Sequence, residues 1–192
     1  MKRWDLINHY IKHYGFKNFL EIGHDQGEAF NQIIVDYKVS VDPCVSTNPT
    51  YTLTSDDFFE KHLTKYDIIF IDGLHEHSQV DRDINNSLRH LNDGGVIILH
   101  DCHPTSEQCQ AHLFTAPGGS WTGDCWKAYL KNRALLPYEM YIYDHDWGCG
   151  VIDTNIPKRS DTSELPTIMT DMTWDDFVNH PEWFNFKNTV AE

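Results

Sequence analysis

The sequence predicts an α/β protein built on a doubly wound, mostly parallel sheet with helices on both faces. Two short and almost purely apolar runs, residues 66–71 and 95–99, are typical of strands that are buried on both faces. Strand and helix patterns alternate through the first hundred residues, which is the order expected of such a sheet. Clusters of acidic and histidine residues follow both apolar runs directly. Chemistry in open α/β sheets lies just beyond the carboxyl ends of strands, so these clusters mark a candidate site.

The elements of the first half follow from apolar spacing and from turn residues. Trp4, Ile7, Ile11 and Tyr14 recur at helical spacing, which predicts a helix over residues 3–14 that stops at Gly15. A strand is predicted at 19–22, followed by a helix that Gly27 opens, with Phe30, Ile33 and Ile34 on one face. Strands at 38–41 and 51–54 come next, and then a helix at 56–63 that Ser55 caps. The last predicted elements of this half are a strand at 66–71, a helix carrying Val80, Ile84, Leu88 and Leu91, a turn at 93–95 and a strand at 95–100.

The second half begins with a long segment, residues 104–122, that contains Pro and Gly without clear periodicity. A loop of this length is often a lid or a binding loop. A helix over 126–136 and an antiparallel pair of strands at 139–143 and 150–152 follow, which brings the predicted sheet to seven strands with an antiparallel last strand. The acidic tail, 154–192, has little pattern apart from a short helix that Thr173 could cap. We expect one domain over 1–192, with its core at about 17–153.

Composition narrows the classes of function. The 192 residues carry a formal net charge of −14, which argues against general binding to nucleic acid or to anionic membranes. We expect no membrane insertion, since no apolar run approaches membrane-spanning length. Five cysteines without a redox or zinc-knuckle spacing, and a polar N-terminus, favour reduced thiols in a cytoplasmic protein.

The segment after the first strand predicts a cofactor site. Gly23 and Gly27 lie between a strand and a helix, where glycines allow a ligand to approach the backbone. Asp42 ends the next strand, about twenty residues on, where an acid accepts hydrogen bonds from ribose hydroxyls. Glu21 at the mouth of the turn would repel a pyrophosphate. It suits a positively charged cofactor instead, such as S-adenosylmethionine.

The two acid and histidine clusters predict a metal or acid–base site. Asp72 and Asp101 end neighbouring strands, so their carboxylates can converge beside His75, His100 and His103. Such a set suits Mg²⁺ or Mn²⁺ where oxygen ligands dominate, and Zn²⁺ where nitrogen ligands dominate. The plainer interpretation is that some of these histidines, among twelve in the chain, are surface groups or only support the ligands.

These motifs resemble those of class I S-adenosylmethionine-dependent methyltransferases. Residues 71–75, Ile-Asp-Gly-Leu-His, and residues 94–101, Gly-Gly-Val-Ile-Ile-Leu-His-Asp, are similar to the branch that includes metal-dependent sugar and natural-product O-methyltransferases. The resemblance runs from about Phe19 to Asp153 and includes residues 55–59, 123–127 and 148–152. The family's first motif commonly has another glycine where Asp25 stands. The resemblance implies a Rossmann-like fold.

The resemblance also implies roles for individual residues. The cofactor's methionine moiety would lie near Glu21, Gly23 and Gly27, with Asp72 close by. Asp42 would hold the ribose, and Ser55 and Asp56 would lie near the adenine, although both also suit a helix N-terminus. The implied metal ligands are Asp72, Asp101 and His100, the last standing where an acid is frequent. His75 or Asp72 would be the base, and the predicted substrate contacts are His103, Asp124 and Trp121.

The sequence therefore predicts an O-methyltransferase that acts on a hydroxyl of a sugar, a glycan or another small molecule. A divalent metal would assist deprotonation of that hydroxyl. A metal-dependent hydrolase could use the same acids and histidines, although Glu21 and Asp42 count against it. A non-catalytic cofactor-binding protein is the third alternative. The acceptor and the oligomeric state stay open.

Overall fold

A computed structural model describes residues 1–111 and 121–188 of the chain. Part of the predicted loop at 104–122 therefore lies outside the described residues. The described strands are β1 (Asn18–Ile22), β2 (Tyr37–Val41), β3 (Tyr66–Ile71), β4 (Leu91–Leu99), β5 (Tyr138–Tyr143), β6 (Cys149–Pro157) and β7 (Phe186–Lys187). The described α-helices are α1 (Arg3–Tyr14), α2 (Glu28–Gln32), α3 (Ser55–Lys61), α4 (His77–Arg89), α5 (Cys125–Leu135) and α6 (Trp174–Asn179).

The seven strands form one sheet in the order β2-β1-β3-β4-β6-β5-β7. Within it, β6 runs antiparallel to both of its neighbours, and the other adjacent pairs are parallel. This confirms the predicted α/β sheet, in which the last strand of the core is antiparallel.

Both faces of the sheet are covered, which explains the apolar runs. Successive residues of a strand point to opposite faces. Ile69 and Ile71 accordingly pack into the cluster under α3, α4 and α5, while Ile68 and Phe70 pack into the cluster under α1. A strand segment buried on both sides needs apolar residues at every position, as found at residues 68–71 of β3 and 96–99 of β4.

Strand register aligns the ends of the four parallel strands. Ile22 of β1 pairs with Val41 of β2 and with Ile71 of β3, and Ile71 pairs with Leu99 of β4. The residues that follow these positions, Gly23, Asp42, Asp72 and His100, therefore form a row across one edge of the sheet. The candidate site lies along this row.

Three local predictions were wrong. Residues 51–54 are not a strand, since only Tyr51 makes an isolated bridge to Val41 beyond the sheet edge. Thr54, not Ser55, caps α3, because its hydroxyl accepts a hydrogen bond from the backbone N–H of Asp57. Leu91 begins β4 instead of ending α4, and the predicted turn at 93–95 is part of that strand.

The predicted face of α2 was also partly wrong. The helix begins after Gly27 as expected, but it ends at Gln32. Ile33 is buried in an extended conformation beyond the helix, and Ile34 is 79% exposed.

The acidic tail packs against the core. Thr173 caps α6 with a capping box, as predicted. Phe177 and Phe184 are buried next to Trp126 of α5, and β7 pairs with β5 at the sheet edge. The tail is thus part of the same packed unit. Within the described ranges, no helix has the length and apolar character needed to cross a bilayer.

Candidate active site

A cleft of about 920 Å³ opens along the row of strand ends. It extends from the turn after β1 to the acid and histidine clusters after β3 and β4. The predicted site residues that line it are Glu21, Gly23, Asp42, Ser55, Asp56, Asp72, His75, His100, Asp101 and Trp121. Cofactor and acid–base residues named from separate motifs therefore face one continuous space.

The turn after β1 requires glycine at Gly23. Its φ is +87°, and a Cβ added there would lie 2.0 Å from the carbonyl oxygen of Asp72. Gly27 is buried with a φ of +71° and begins α2 beside the cleft without lining it. Asp25, where the family commonly has glycine, also has a positive φ of 41°. The turn therefore keeps a glycine-like backbone at a position that carries a carboxylate.

Asp42 shapes this turn from the neighbouring strand. Its Oδ2 accepts hydrogen bonds from the backbone N–H groups of His24, at 2.9 Å, and Asp25, at 3.1 Å. Its Oδ1 accepts a third from Cys44, at 2.8 Å. Asp42 therefore holds the ends of β1 and β2 together while its carboxylate faces the cleft.

Glu21 is a buried acid at the base of the cleft. Burial, and then the nearby negative charge of Asp72, raise its pKa to about 9. Its Oε2 lies 3.1 Å from His24 Nδ1. A cation placed beside Glu21 would favour the ionised form, so the site is suited to a positively charged group.

Three side chains converge in the cleft where β3 and β4 end. His75 Nε2 lies 3.2 Å from Asp101 Oδ2 and 3.6 Å from Asp72 Oδ1. Ligand atoms of all three residues lie within 4.8 Å of one another, an arrangement that one metal ion can bridge. The predicted ligand set paired the two acids with His100, whereas the geometry brings His75 into the group.

His100 lies against the same two carboxylates from a buried position. Its Nδ1 is 3.1 Å from Asp72 Oδ1 and 3.2 Å from Asp101 Oδ2. Burial alone would lower the pKa of His100, but the charges of Asp72 and Asp101 raise it well above the usual value. Burial would raise the pKa of Asp72, yet His100 and His75 together hold it below its usual range. An imidazolium at His100 thus stabilises the paired carboxylates.

The orientation of His75 is set by the segment before α5. Its Nδ1 lies 3.2 Å from the carbonyl oxygen of Trp121, and the two rings stack with centroids 5.0 Å apart. Gly123 approaches so closely that a Cβ would lie 1.7 Å from the His75 carbonyl oxygen. With Nδ1 donating to Trp121, Nε2 faces the two carboxylates.

Ser55 belongs to a polar network with residues of α4. Gln79 Nε2 donates hydrogen bonds to Ser55 Oγ, at 3.1 Å, and to Asp83 Oδ1, at 3.0 Å. Burial raises the pKa of Asp83 to about 6. Gln79 and Asp83 both line the cleft, and both were missed from the sequence because they resemble the ordinary polar positions of an amphipathic helix.

Arg3 was also missed. It comes from the start of α1 and reaches the cleft, where its Nε is 3.6 Å from Asp72 Oδ2 and its Nη2 is 3.1 Å from Glu28 Oε2. Its Nη1 pairs with Asp146 Oδ2 at 3.2 Å. No local pattern marks one arginine at a helix start, so the sequence held no signal for this position.

Two predicted substrate residues lie outside the cleft. His103 lines a separate cavity of about 480 Å³, where its Nδ1 is 2.5 Å from Asp144 Oδ1. Asp124 is buried and accepts hydrogen bonds from the backbone N–H of His77 and, at 2.6 Å, from its Nδ1. His77 is therefore partly buried and paired with Asp124. Substrate contact by His103 or Asp124 stays a prediction.

Comparison with known families supports the cofactor interpretation. Residues 20–102, from β1 to just past β4, match a family profile described as a methyltransferase domain. No curated protein sequence matches the chain.

Solved structures match over most of the chain. A Staphylococcus aureus protein assigned as a caffeoyl-CoA O-methyltransferase has a TM-score of 0.60 at 19% identity, over 78% of this chain and 82% of that one. A Bacillus cereus O-methyltransferase in complex with S-adenosylhomocysteine has a TM-score of 0.58 at 13% identity, over 79% and 80%. The S-adenosylhomocysteine-bound methyltransferase PaMTH1 of Podospora anserina has a TM-score of 0.61 at 12% identity, over 82% and 78%. At these identities the likeness establishes the fold.

The seven-stranded sheet, with a cleft at its strand ends, has the α/β fold of the solved methyltransferases. Residues 20–102 match a methyltransferase domain, and this match supports assignment of the chain to the S-adenosylmethionine-dependent methyltransferases.

Proposed function

We propose that this enzyme is an O-methyltransferase that acts on a hydroxyl of a sugar, a glycan or another small molecule. The observation that carries the proposal is the shared cleft. The glycine turn after β1 and the group formed by Asp72, His75 and Asp101 face the same space. A methyl donor bound at the turn would then lie next to acid–base groups that can deprotonate an acceptor. Alignment of donor and acceptor in one cleft replaces a bimolecular encounter.

We propose the following placement of S-adenosylmethionine. Its ammonium group would lie by Glu21, whose ionised form a cation favours. Asp42 would accept hydrogen bonds from the ribose, and Ser55 and Asp56 would lie near the adenine. The acidic lining of the cleft suits the positive sulfonium. The structures with bound S-adenosylhomocysteine among the fold neighbours support this choice of cofactor.

The residues present fit a divalent metal ion. Asp72 and Asp101 offer oxygen ligands within bridging distance of each other, and His75 lies beside them, where it would serve as the base and not as a ligand. We propose Mg²⁺ or Mn²⁺, since oxygen ligands dominate. The ion would supply Lewis acidity that lowers the pKa of an acceptor hydroxyl. His100 would stay outside this set and hold the two carboxylates in place from their buried side.

His75 is the proposed base, with Asp72 as the second candidate. In its neutral form, Nδ1–H donates to the Trp121 carbonyl and leaves the Nε2 lone pair free to accept a proton. The carboxylates of Asp101 and Asp72, at 3.2 and 3.6 Å, would then stabilise the imidazolium that forms.

The acceptor is proposed from two kinds of support. The sequence resembles the branch that includes sugar O-methyltransferases, and O-methyltransferases are among the fold neighbours. Trp121 and Trp147 line the cleft mouth, where aromatic faces can stack on a sugar ring. We also propose a cytoplasmic location, because all five cysteines are free.

Calorimetric titration with S-adenosylhomocysteine, joined to a methyl-transfer assay, tests this function. We expect stoichiometric binding and transfer to hydroxyls of a glycan panel. Exhaustive chelation should suppress transfer, and Mg²⁺ or Mn²⁺ should restore it without a large change in cofactor affinity. Full turnover in metal-free protein, verified by elemental analysis, would remove the metal from the mechanism. Methylation of amines or carboxylates alone would refute the hydroxyl acceptor.

A further inference from the structure

We propose that Arg3 binds the carboxylate of the cofactor's methionine moiety and thereby selects a cofactor with an intact amino acid group. The inference rests on the proposed binding of S-adenosylmethionine in the cleft. Arg3 would add a cofactor contact from the N-terminal helix α1, which lies outside the segment that matches the methyltransferase family.

The lining of the cleft is strongly acidic. It includes the acids Glu21, Asp25, Glu28, Asp42, Asp56, Asp72, Asp83 and Asp101. Among the lining residues that the structure describes, Arg3 is the only lysine or arginine. The sulfonium and ammonium groups of the cofactor suit these acids, but its carboxylate would be repelled unless a cation lay beside it. Arg3 is the side chain that can supply this charge permanently.

The position of Arg3 also suits a carboxylate next to the proposed ammonium site. Arg3 lies between the end of β3, where it approaches Asp72 at 3.6 Å, and the start of α2, where it contacts Glu28 at 3.1 Å. Gly23, beside the proposed ammonium position at Glu21, adjoins the same strand end, since a Cβ added to Gly23 would lie 2.0 Å from the Asp72 carbonyl oxygen. In an amino acid, the ammonium and carboxylate are attached to one carbon. A group that binds the carboxylate must therefore lie close to the group that binds the ammonium.

The Arg3 side chain is fixed in direction but keeps donor capacity. Leu6 and Ile7 bury α1 against the sheet, and Asp146 Oδ2 accepts hydrogen bonds from the Arg3 backbone N–H, at 2.9 Å, and from Nη1. Nε has no hydrogen-bond partner within the described part of the chain. The Glu28 side chain on Nη2 is 65% exposed, so this pair is weak and a ligand carboxylate can replace it.

These observations imply a selective role. Arginine presents N–H donors in a planar fork that matches a carboxylate, while Asp146 holds the third nitrogen, Nη1. Adenosine derivatives that lack the carboxylate would gain nothing from Arg3. The residue would then distinguish the intact cofactor from its decarboxylated forms.

The test compares two ligands by calorimetry on the full chain. One is S-adenosylhomocysteine, and the other is its decarboxylated form, S-adenosyl-3-thiopropylamine, which keeps the amino group. Arg3→Gln should weaken binding of the first by roughly 10- to 100-fold, the scale of a charge-assisted hydrogen bond, and leave the second unchanged. Arg3→Lys, which keeps the cation, should recover part of the loss. Lys2→Gln is the matched control, because Lys2 also pairs with Asp146 but lies outside the cleft.

Each outcome decides the proposal. Equal losses for both ligands would assign Arg3 a structural role and overturn it, as would unchanged affinity for S-adenosylhomocysteine. If Arg3→Gln does not fold, the ratio of the two affinities in Arg3→Lys decides instead. A ratio equal to that of the unaltered protein overturns the inference. Failure of the unaltered protein to bind S-adenosylhomocysteine would refute the proposed function, and this inference with it.

Discussion

Replacing Gly23 by alanine tests whether the backbone of the cofactor turn holds the site together. A Cβ at this position would lie 2.0 Å from the Asp72 carbonyl oxygen and 2.4 Å from the carbonyl carbon. Backbone atoms cannot rotate away as a side chain can, so the ends of β1 and β3 must separate. Gly15 provides a matched control, since its φ is +70° and nothing lies within 4 Å of its added Cβ. Both substitutions carry the left-handed backbone cost, but only one also carries the clash.

The expected magnitudes follow from these contacts. A left-handed backbone costs an alanine about 1–2 kcal/mol at either position. At Gly23 the separation would also break two hydrogen bonds of 2.8 Å, from Gly23 to Val41 and from Asp72 to Ile22. Each is worth about 1 kcal/mol, so the total is about 3–4 kcal/mol. At about 3 °C per kcal/mol for a chain of this size, Tm should fall by about 9–12 °C for Gly23→Ala and by about 3–6 °C for Gly15→Ala.

Differential scanning calorimetry of the ligand-free variants measures this difference. Titration with S-adenosylhomocysteine then shows whether the damage is at the cofactor turn, since Gly23→Ala should weaken binding while Gly15→Ala should not. Equal falls in Tm for the two variants would show that the clash is relieved without cost. Full cofactor affinity in Gly23→Ala would show that the turn does not set the site.

Three further predictions concern side chains around the cleft. The pKa of Asp83 is raised from 3.8 to about 6 in the folded state. Between these pH values the folded protein keeps a proton that the unfolded chain releases. The free energy of unfolding should therefore fall by about 3 kcal/mol as pH rises from 4 to 6. Asp83→Asn should flatten this part of the stability profile in urea titrations, and a slope equal to that of the unaltered protein would contradict the assignment. Burial alone would lower the pKa of His75, but Asp72 and Asp101 raise it, and the net shift is upward from 6.5. In metal-free protein the His75 ring should therefore lose its proton at a pH above 6.5. Two-dimensional NMR of the imidazole can measure this titration. His75→Gln should lower turnover by roughly 100-fold with cofactor affinity retained, and a wild-type rate and pH profile in this variant would make Asp72 the base. Gly123→Ala places a Cβ 1.7 Å from the His75 carbonyl oxygen, so kcat should fall while the Kd for S-adenosylhomocysteine is unchanged; an unaltered kcat would show that this approach does not position His75.

Sequence alone determined the features that depend on local pattern. Residues 66–71 were predicted as a buried strand, because a short and almost purely apolar run is typical of a strand covered on both faces. Gly15 ends α1 because only glycine adopts a left-handed conformation without strain. The acids and histidines after β3 and β4 were predicted to meet because carboxyl ends of parallel strands share one edge of the sheet.

Tertiary structure decided which of these groups touch and what each one faces. The segment 51–54 has strand-like residues but lies beyond the edge strand β2, where only one bridge forms. Asp42 holds the turn after β1 through the backbone N–H groups of His24 and Asp25 in that turn. His75 joins Asp72 and Asp101 in a group of possible metal ligands, while His100 lies against the same two carboxylates from a buried position.

Arg3 is the clearest case of a residue whose role local sequence does not indicate and only the tertiary structure shows. Nothing near it in the sequence distinguishes it from any arginine at a helix start, yet it contacts Asp72, Asp146 and Glu28 from three separate segments. Secondary structure and strand ends follow from the period of apolar residues, which neighbours along the chain determine. Contacts across the cleft depend instead on strand register and on the direction of each side chain, and these are fixed only when the helices pack on the sheet.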